Sequence, residues 1–230
     1  MAFALAQAGA KVALNYANNE KRGHKAYDVF RASGYTGMLV RADVTNEAAV
    51  KDMVAQVRET LGPVDILVPN ATPMQPQRRI EDYDWAFYQE MLDFFVKSPF
   101  LLTRACLADM KTRRWGRIIN IISEVFSLGV APFTAYVAAK GGQVGFSRSL
   151  ATELAPFGIT VNMISPGWIP VERHASDPQA VKDAYLKTVP AGRMGIPGDV
   201  AGAAVYLASD EASFVTGQFI TVSGGRSFAV

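Results

Sequence analysis

The sequence predicts an α/β fold, a doubly wound, mostly parallel sheet with helices on both faces. Three observations predict it. Helical patterns alternate with short β-branched runs along the whole chain. Several of those runs are nearly continuously apolar, as burial on both faces of a parallel sheet requires. The 230 residues, half of them apolar, suffice for one large core. A single domain over residues 1–230 is expected, because no repeat, linker or low-complexity segment interrupts the alternation.

The elements follow in order from apolar spacing. "MAFALAQAG" is a helix over about nine residues ending at Gly9, "KVALNY" a strand, "EKRGHKAYDVFRASG" a helix, "TGMLVRADV" a strand and "NEAAVKDMVAQVRETLG" a helix. "VDILVPNA" reads as a strand, residues 82–113 as a long helix broken near Pro99, "GRIINIIS" as a strand, and the run from Phe133 through "TELAPFG" as a helix. "ITVNMISPG" is a strand, "PGDVAGAAVYLAS" a helix and "QFITVSGG" a strand. Right-handed crossovers place the loops after the strands along one edge, where ligands bind in such sheets. The irregular stretch from Gly167 to Asp199 carries four prolines and is expected to close over a substrate as a lid, its residues Trp168 to Met194 shaping the pocket.

Composition excludes several classes. Lys and Arg total 23 against 21 Asp and Glu, without a basic stripe, so neither nucleic acid nor a membrane surface is an expected partner. Cys106 is the only cysteine and sits in a helical apolar run, which suits the core and a reducing, cytoplasmic setting. The first residues lack the basic start of a secretory signal, and no apolar stretch reaches the roughly 20 residues of a spanning helix. His24 and His174 stand apart without a ligand cluster, so no metal site is expected; His174, in the lid, is a candidate substrate contact.

The chemistry concentrates in "SEVFSLGVAPFTAYVAAK", residues 123–140. Ser123 ends an apolar strand at the ligand edge, while Tyr136 and Lys140, four apart, share one face of the following helix. A phenol with an ordinary pKa near 10 exchanges protons poorly at neutral pH, and a nearby ammonium is expected to lower that value. Tyr136 then serves as a general acid or base, with Ser123 holding the reacting oxygen beside it. A Tyr-x-x-x-Lys pair alone carries little weight, since an exposed Lys beside a half-buried Tyr is a common helix surface.

The spacing of Ser123, Tyr136 and Lys140 resembles the short-chain dehydrogenase/reductase family, and in particular its 3-oxoacyl-carrier-protein reductase-like members. The resemblance extends over nearly the whole chain. "RADVT" resembles the segment whose Asp43 and Val44 would meet an adenine ring, and "PNAT" keeps Asn70 and Ala71 of the family's turn after the fourth strand. "GITVNMISPGWI" resembles the turn beside the nicotinamide, with Pro166, Gly167 and the Ile169 backbone against the ring. The C-terminal "GRMGIPGDVAGAAVYLAS…QFITVSGG" resembles the family's last segment, with Ser223 where aspartate is usual. The resemblance implies a Rossmann-like fold and hydride transfer between a nicotinamide and a carbonyl or secondary alcohol. Tyr136 would be the general acid/base, Lys140 would bind the nicotinamide ribose and tune Tyr136, and Ser123 would orient the substrate.

Three further departures accompany it. Phe95 stands where the family usually carries a catalytic Asn, and Val171 where a threonine often binds the carboxamide. The third is at the start: the opening helix looks like the family's first helix after its glycine turn, so the first strand and the phosphate-binding loop are expected to be absent from the 230 residues. Two neighbouring strands would then have unpaired edges, and weak cofactor binding would follow.

At the end of "KVALNY" no carboxylate is placed to accept adenosine ribose hydroxyls; Asn15, Tyr16, Asn18 and Lys21 instead suit a 2′-phosphate, which favours NADP over NAD. The bland alternative is that these are turn polars. The aromatic run "DYDWAFYQEMLDFF" suits core or a subunit seam, and the resemblance implies a homo-oligomer, a tetramer or dimer. The leading expectation is an NAD(P)-dependent enzyme acting on a small carbonyl or alcohol. The alternatives are a noncatalytic shortened homologue serving as a subunit or binding partner, and a nucleotide-sugar enzyme, which the short C-terminal part disfavours.

Overall fold

The computed structural model describes residues 1–229. Ala2–Gln7 forms α1, followed by β1 (Val12–Tyr16), α2 (Glu20–Ala32), β2 (Gly37–Arg41), α3 (Glu47–Leu61) and β3 (Ile66–Leu67). Next come α4 (Trp85–Leu92), a π-helical stretch (Asp93–Lys97), α5 (Ser98–Arg113), β4 (Gly116–Ile121), α6 (Glu124–Leu128), α7 (Thr134–Leu154) and β5 (Ile159–Pro166). The order closes with α8 (Gln179–Leu186), α9 (Pro197–Ala208) and β6 (Phe219–Val222). Side chains cap several helix starts: Asn46 accepts from the Ala49 N–H at 3.0 Å and Asp84 from that of Phe87 at 2.7 Å.

Every strand pairing is parallel, in two groups, β1-β2 and β3-β4-β5-β6. The central strands β4 and β5 are sealed on both faces because alternate side chains meet different helices. Ile118 and Val161 pack with Cys106, Met110 and Leu154 of α5 and α7, whereas Ile119 and Ile164 pack with Leu5, Ala204 and Leu207 of α1 and α9. A further cluster joins Val40, Val44, Val50 and Met53 to Leu101 and Leu102, with Ala13 and Leu67 against it, so one core spans both strand groups. Among the described residues β1 pairs only with β2 and β3 only with β4, leaving one ladder edge of each open.

Four elements differ from their sequence expectation. The strand expected over "VDILVPNA" shortens to Ile66–Leu67, since a ladder on one side fixes less backbone than two. The long helix expected over residues 82–113 begins at Trp85, and its expected break near Pro99 takes the form of the π-helical stretch Asp93–Lys97, which separates α4 from α5 just before the proline that lacks an N–H. The five-residue α6 and the lid helix α8 appear where no helical periodicity was expected. Cys106 is 2% exposed, and burial pushes its thiol up to about 12.

Candidate active site

Ser123 follows β4 at the carboxyl edge and caps α6 in extended backbone, φ −160° and ψ 149°. α7 lies along β5 and presents Tyr136, half-buried, and Lys140, buried, toward that edge. The Tyr136 ring meets Phe95 edge-on, with centroids 5.2 Å apart at 69°, and Phe133 at 4.9 Å. Burial pushes the Tyr136 hydroxyl up to about 12; the Ser123 hydroxyl and the Arg173 charge draw it partly back. The structure therefore brings Ser123 and Tyr136 together.

The expectation that the Lys140 ammonium acidifies Tyr136 is corrected. Lys140 Nζ donates to the Ile121 carbonyl at 2.6 Å and to Gln143 Oε1 at 2.9 Å, and lies 5.6 Å from the Tyr136 ring centroid. Burial without a counter-ion pushes Lys140 itself well down. Phe95, in the π-helical stretch, puts its ring face 3.7 Å from that ammonium.

The turn after β5 is built without spare room. The Gly167 N–H donates to the Val222 carbonyl at 2.9 Å, and a Cβ on Gly167 would lie 2.6 Å from the Tyr185 oxygen. That oxygen accepts from the Trp168 N–H at 2.6 Å and donates to Glu124 Oε1 at 2.8 Å. Arg226 Nη1 donates to the same carboxylate oxygen at 2.7 Å, and Glu124 Oε2 is also buried. Burial pushes the Glu124 carboxyl up, against the pull of Tyr185 and Arg226. Gly167, Ile169, Tyr185, Arg193 and Ser223 line an adjoining cavity of about 330 Å³. The Ile169 side chain packs into the core against Gly195, which leaves its backbone for contact.

The remaining expected cofactor residues are spread along the same edge. Asn70 and Ala71 are exposed just beyond β3, and Pro166 ends β5. Asp43 is exposed, its carboxylate accepting from the Thr45 N–H at 2.9 Å; Val44 is 5% exposed and its side chain belongs to the core. The Asn15 amide donates to the Ala42 carbonyl at 3.0 Å and so ties β1 to the end of β2. Tyr16 lines a cavity of about 460 Å³ with His24, Arg31 and Arg41. In the lid, His174 Nδ1 accepts from the Val171 N–H at 3.1 Å and its ring meets Trp168 edge-on. Ser223 Oγ accepts from the Ser227 N–H at 3.1 Å. Among the described residues no group of three or more His, Cys, Asp or Glu is arranged to hold a metal ion, and no helix is long and apolar enough to cross a membrane.

Sequence reasoning missed Glu124, Tyr185, Arg226 and Gln143. A Glu directly after a strand-end Ser and a Gln three residues after Lys140 on an apolar helix face are the signals that were present.

The nicotinamide end of a dinucleotide fits these residues: Gly167 keeps the turn after β5 free of a side chain, and the Ser123 and Tyr136 hydroxyls meet at the carboxyl edge. A family model described as enoyl-(acyl carrier protein) reductase matches residues 1–227. The chain belongs to the short-chain dehydrogenase/reductase family. Enzymes of this family are NAD(P)-dependent oxidoreductases, and this one moves a hydride between a nicotinamide and a carbonyl or secondary alcohol. Among its family relatives is a 3-oxoacyl-(acyl-carrier-protein) reductase of Salmonella typhimurium, 39% identical over 229 residues, covering 98% of this chain and 90% of the relative. Acetoacetyl-CoA reductase of Rhizobium meliloti is also 39% identical, covering 98% of this chain and 92% of the relative. The crystal structure of a gluconate 5-dehydrogenase from Burkholderia cenocepacia in complex with NADP and tartrate superposes with a TM-score of 0.91 at 31% identity, covering 100% of this chain and 90% of the other.

Proposed function

We propose that this family member reduces a 3-oxoacyl thioester or a similar small ketone with NADPH, using Tyr136 as general acid. The observation that carries the reading is the Ser123–Tyr136 contact at the carboxyl edge, with Tyr136 held up to about 12 and so protonated at neutral pH. The bound cofactor supplies the hydride. The Ser123 hydroxyl orients the substrate oxygen, and the Tyr136 hydroxyl gives it a proton as the carbonyl becomes a secondary alcohol. Lys140 serves the cofactor ribose. Asn70, Ala71, Pro166, Gly167 and the Ile169 backbone frame the nicotinamide half; Asp43 and the Val44 backbone frame the adenine.

NADP over NAD is supported by the end of β1, where Asn15, Tyr16, Asn18 and Lys21 offer no carboxylate to ribose hydroxyls, and by the NADP in the gluconate 5-dehydrogenase complex. Two of the compared relatives are named for 3-oxoacyl thioester substrates, which supports that class. We read residues 1–230 as one domain that works as a homo-oligomer in the cytoplasm; the exposed Trp85 and Phe214 supply apolar surface for such assembly. The test is consumption of NADPH and of NADH with acetoacetyl and longer 3-oxoacyl thioesters, against other ketones. Tyr136→Phe is expected to abolish turnover with the fold retained; turnover at the wild-type rate removes Tyr136 from the mechanism.

A further inference from the structure

Lys140 Nζ is enclosed on three sides, by the Ile121 carbonyl at 2.6 Å, Gln143 Oε1 at 2.9 Å and the Phe95 ring centroid at 3.7 Å. An ammonium has three N–H donors and no acceptor. Two oxygens and an aromatic face, which attracts a cation, match that number. Phe95, Lys140 and Gln143 are 2%, 3% and 1% exposed, so the enclosure is shut off from bulk solvent.

Gln143 is itself fixed. Ser147 Oγ donates to its backbone carbonyl at 2.7 Å and accepts from Asn120 Nδ2 of β4 at 2.9 Å. Positions 140, 143 and 147 share the face of α7 turned to β4. The groups around Lys140 supply no negative charge: α7 contributes the Tyr136 phenol, β4 the Ile121 carbonyl and the π-helical stretch the Phe95 ring. The Glu124 carboxylate of α6 is engaged by Tyr185 and Arg226. A buried cation without a counter-ion depends on such dipoles to stay charged.

We propose that Gln143 is a positioning residue for Lys140, its side-chain carbonyl holding the ammonium charged and turned to β4, where no carboxylate among the described residues serves it. The proposal rests on the catalytic reading of Lys140 given above and extends the site by one residue.

The test is a titration of the cofactor-free enzyme, with lysine labelled with carbon-13 at Cε and the Lys140 resonance assigned through Lys140→Met. Gln143→Leu keeps the volume and removes the acceptor. Its Lys140 midpoint is expected to fall by about one pH unit, the size of a lost charge-assisted hydrogen bond. Gln143→Glu is expected to raise the midpoint above wild type. Phe95→Leu, which keeps the apolar filling and removes the ring face, is expected to lower it and serves if Gln143→Leu does not fold. Midpoints within about 0.2 unit of wild type in the folded variants overturn the proposal. Steady-state kinetics form a separate arm: undiminished turnover by Lys140→Met would refute the catalytic reading, while the titration still judges the enclosure.

Discussion

Glu124 accepts a hydrogen bond from Arg226 Nη1 at 2.7 Å across 102 positions of sequence, directly beside the strand-end serine. Glu124 is 3% exposed and its carboxyl is pushed up by burial against the pull of Tyr185 and Arg226. A folded carboxyl raised above its unfolded value binds more protons folded than unfolded. Its contribution is therefore most favourable below the unfolded pKa of 4.5 and is lost as pH rises through the folded value. Arg226→Met leaves a buried charge unpaired and is expected to cost about 3 kcal/mol at neutral pH and less in mild acid, where Glu124 protonates. Glu124→Gln is expected to remove this pH dependence. Urea denaturation of the three proteins at about pH 5 and about pH 8 measures it; an Arg226→Met penalty equal at both would refute the argument.

The Gly167 turn sets a second expectation. A Cβ there would press on the Tyr185 oxygen, which simultaneously holds the Trp168 N–H and Glu124. Gly167→Ala is expected to cost about 1–3 kcal/mol through forced displacement of this well-packed group. Because the same turn is proposed to frame the cofactor, the cofactor's dissociation constant is expected to rise as well. Thermal melts together with NADPH fluorescence titration read both, and a variant unchanged in both would show that the turn tolerates a side chain.

Much of this architecture was legible because β4 and β5 are buried on both faces and so carry nearly continuous apolar runs. Ser123, Tyr136 and Lys140 were singled out because their spacing, at a strand end and along one helix face, resembles that of the family. What escaped depends on distant partners. The helix α6 is the exception: its Ser123 cap and Gly129 turn are local, but the five residues between them are too few to show a helical period. The Glu124–Tyr185–Arg226 bonds join three segments whose approach only the folded sheet creates. The effect of Lys140 on Tyr136 was misread for a related reason: spacing places both on one helix face, but Gln143 and the Ile121 carbonyl decide where the ammonium goes.

Cys106 offers a probe that is independent of catalysis. Its thiol is enclosed by Met110, Ile118 and Val161 and pushed up to about 12, so the thiolate that reacts with disulfide reagents is scarce. Native protein is expected to leave Ellman's reagent unreacted over the time that unfolded protein in guanidinium takes to react fully. Prompt stoichiometric labelling of the native protein would place Cys106 at an accessible position.

The Tyr136 phenol supplies the last prediction. Its environment holds the proton: burial raises it to about 12, and the nearest cation on its own helix is turned to Ile121 and Gln143. In the cofactor-free enzyme Tyr136 is therefore a poised donor, suited to protonating a reduced carbonyl without first gathering a proton from solvent. Ultraviolet difference titration of wild type against Tyr136→Phe isolates this one tyrosinate signal. It is expected to be absent through neutral and mildly alkaline pH and to emerge only as about 12 is approached. A component lost in Tyr136→Phe with a midpoint below about 9 would instead mean that an ammonium acidifies the phenol before cofactor arrives.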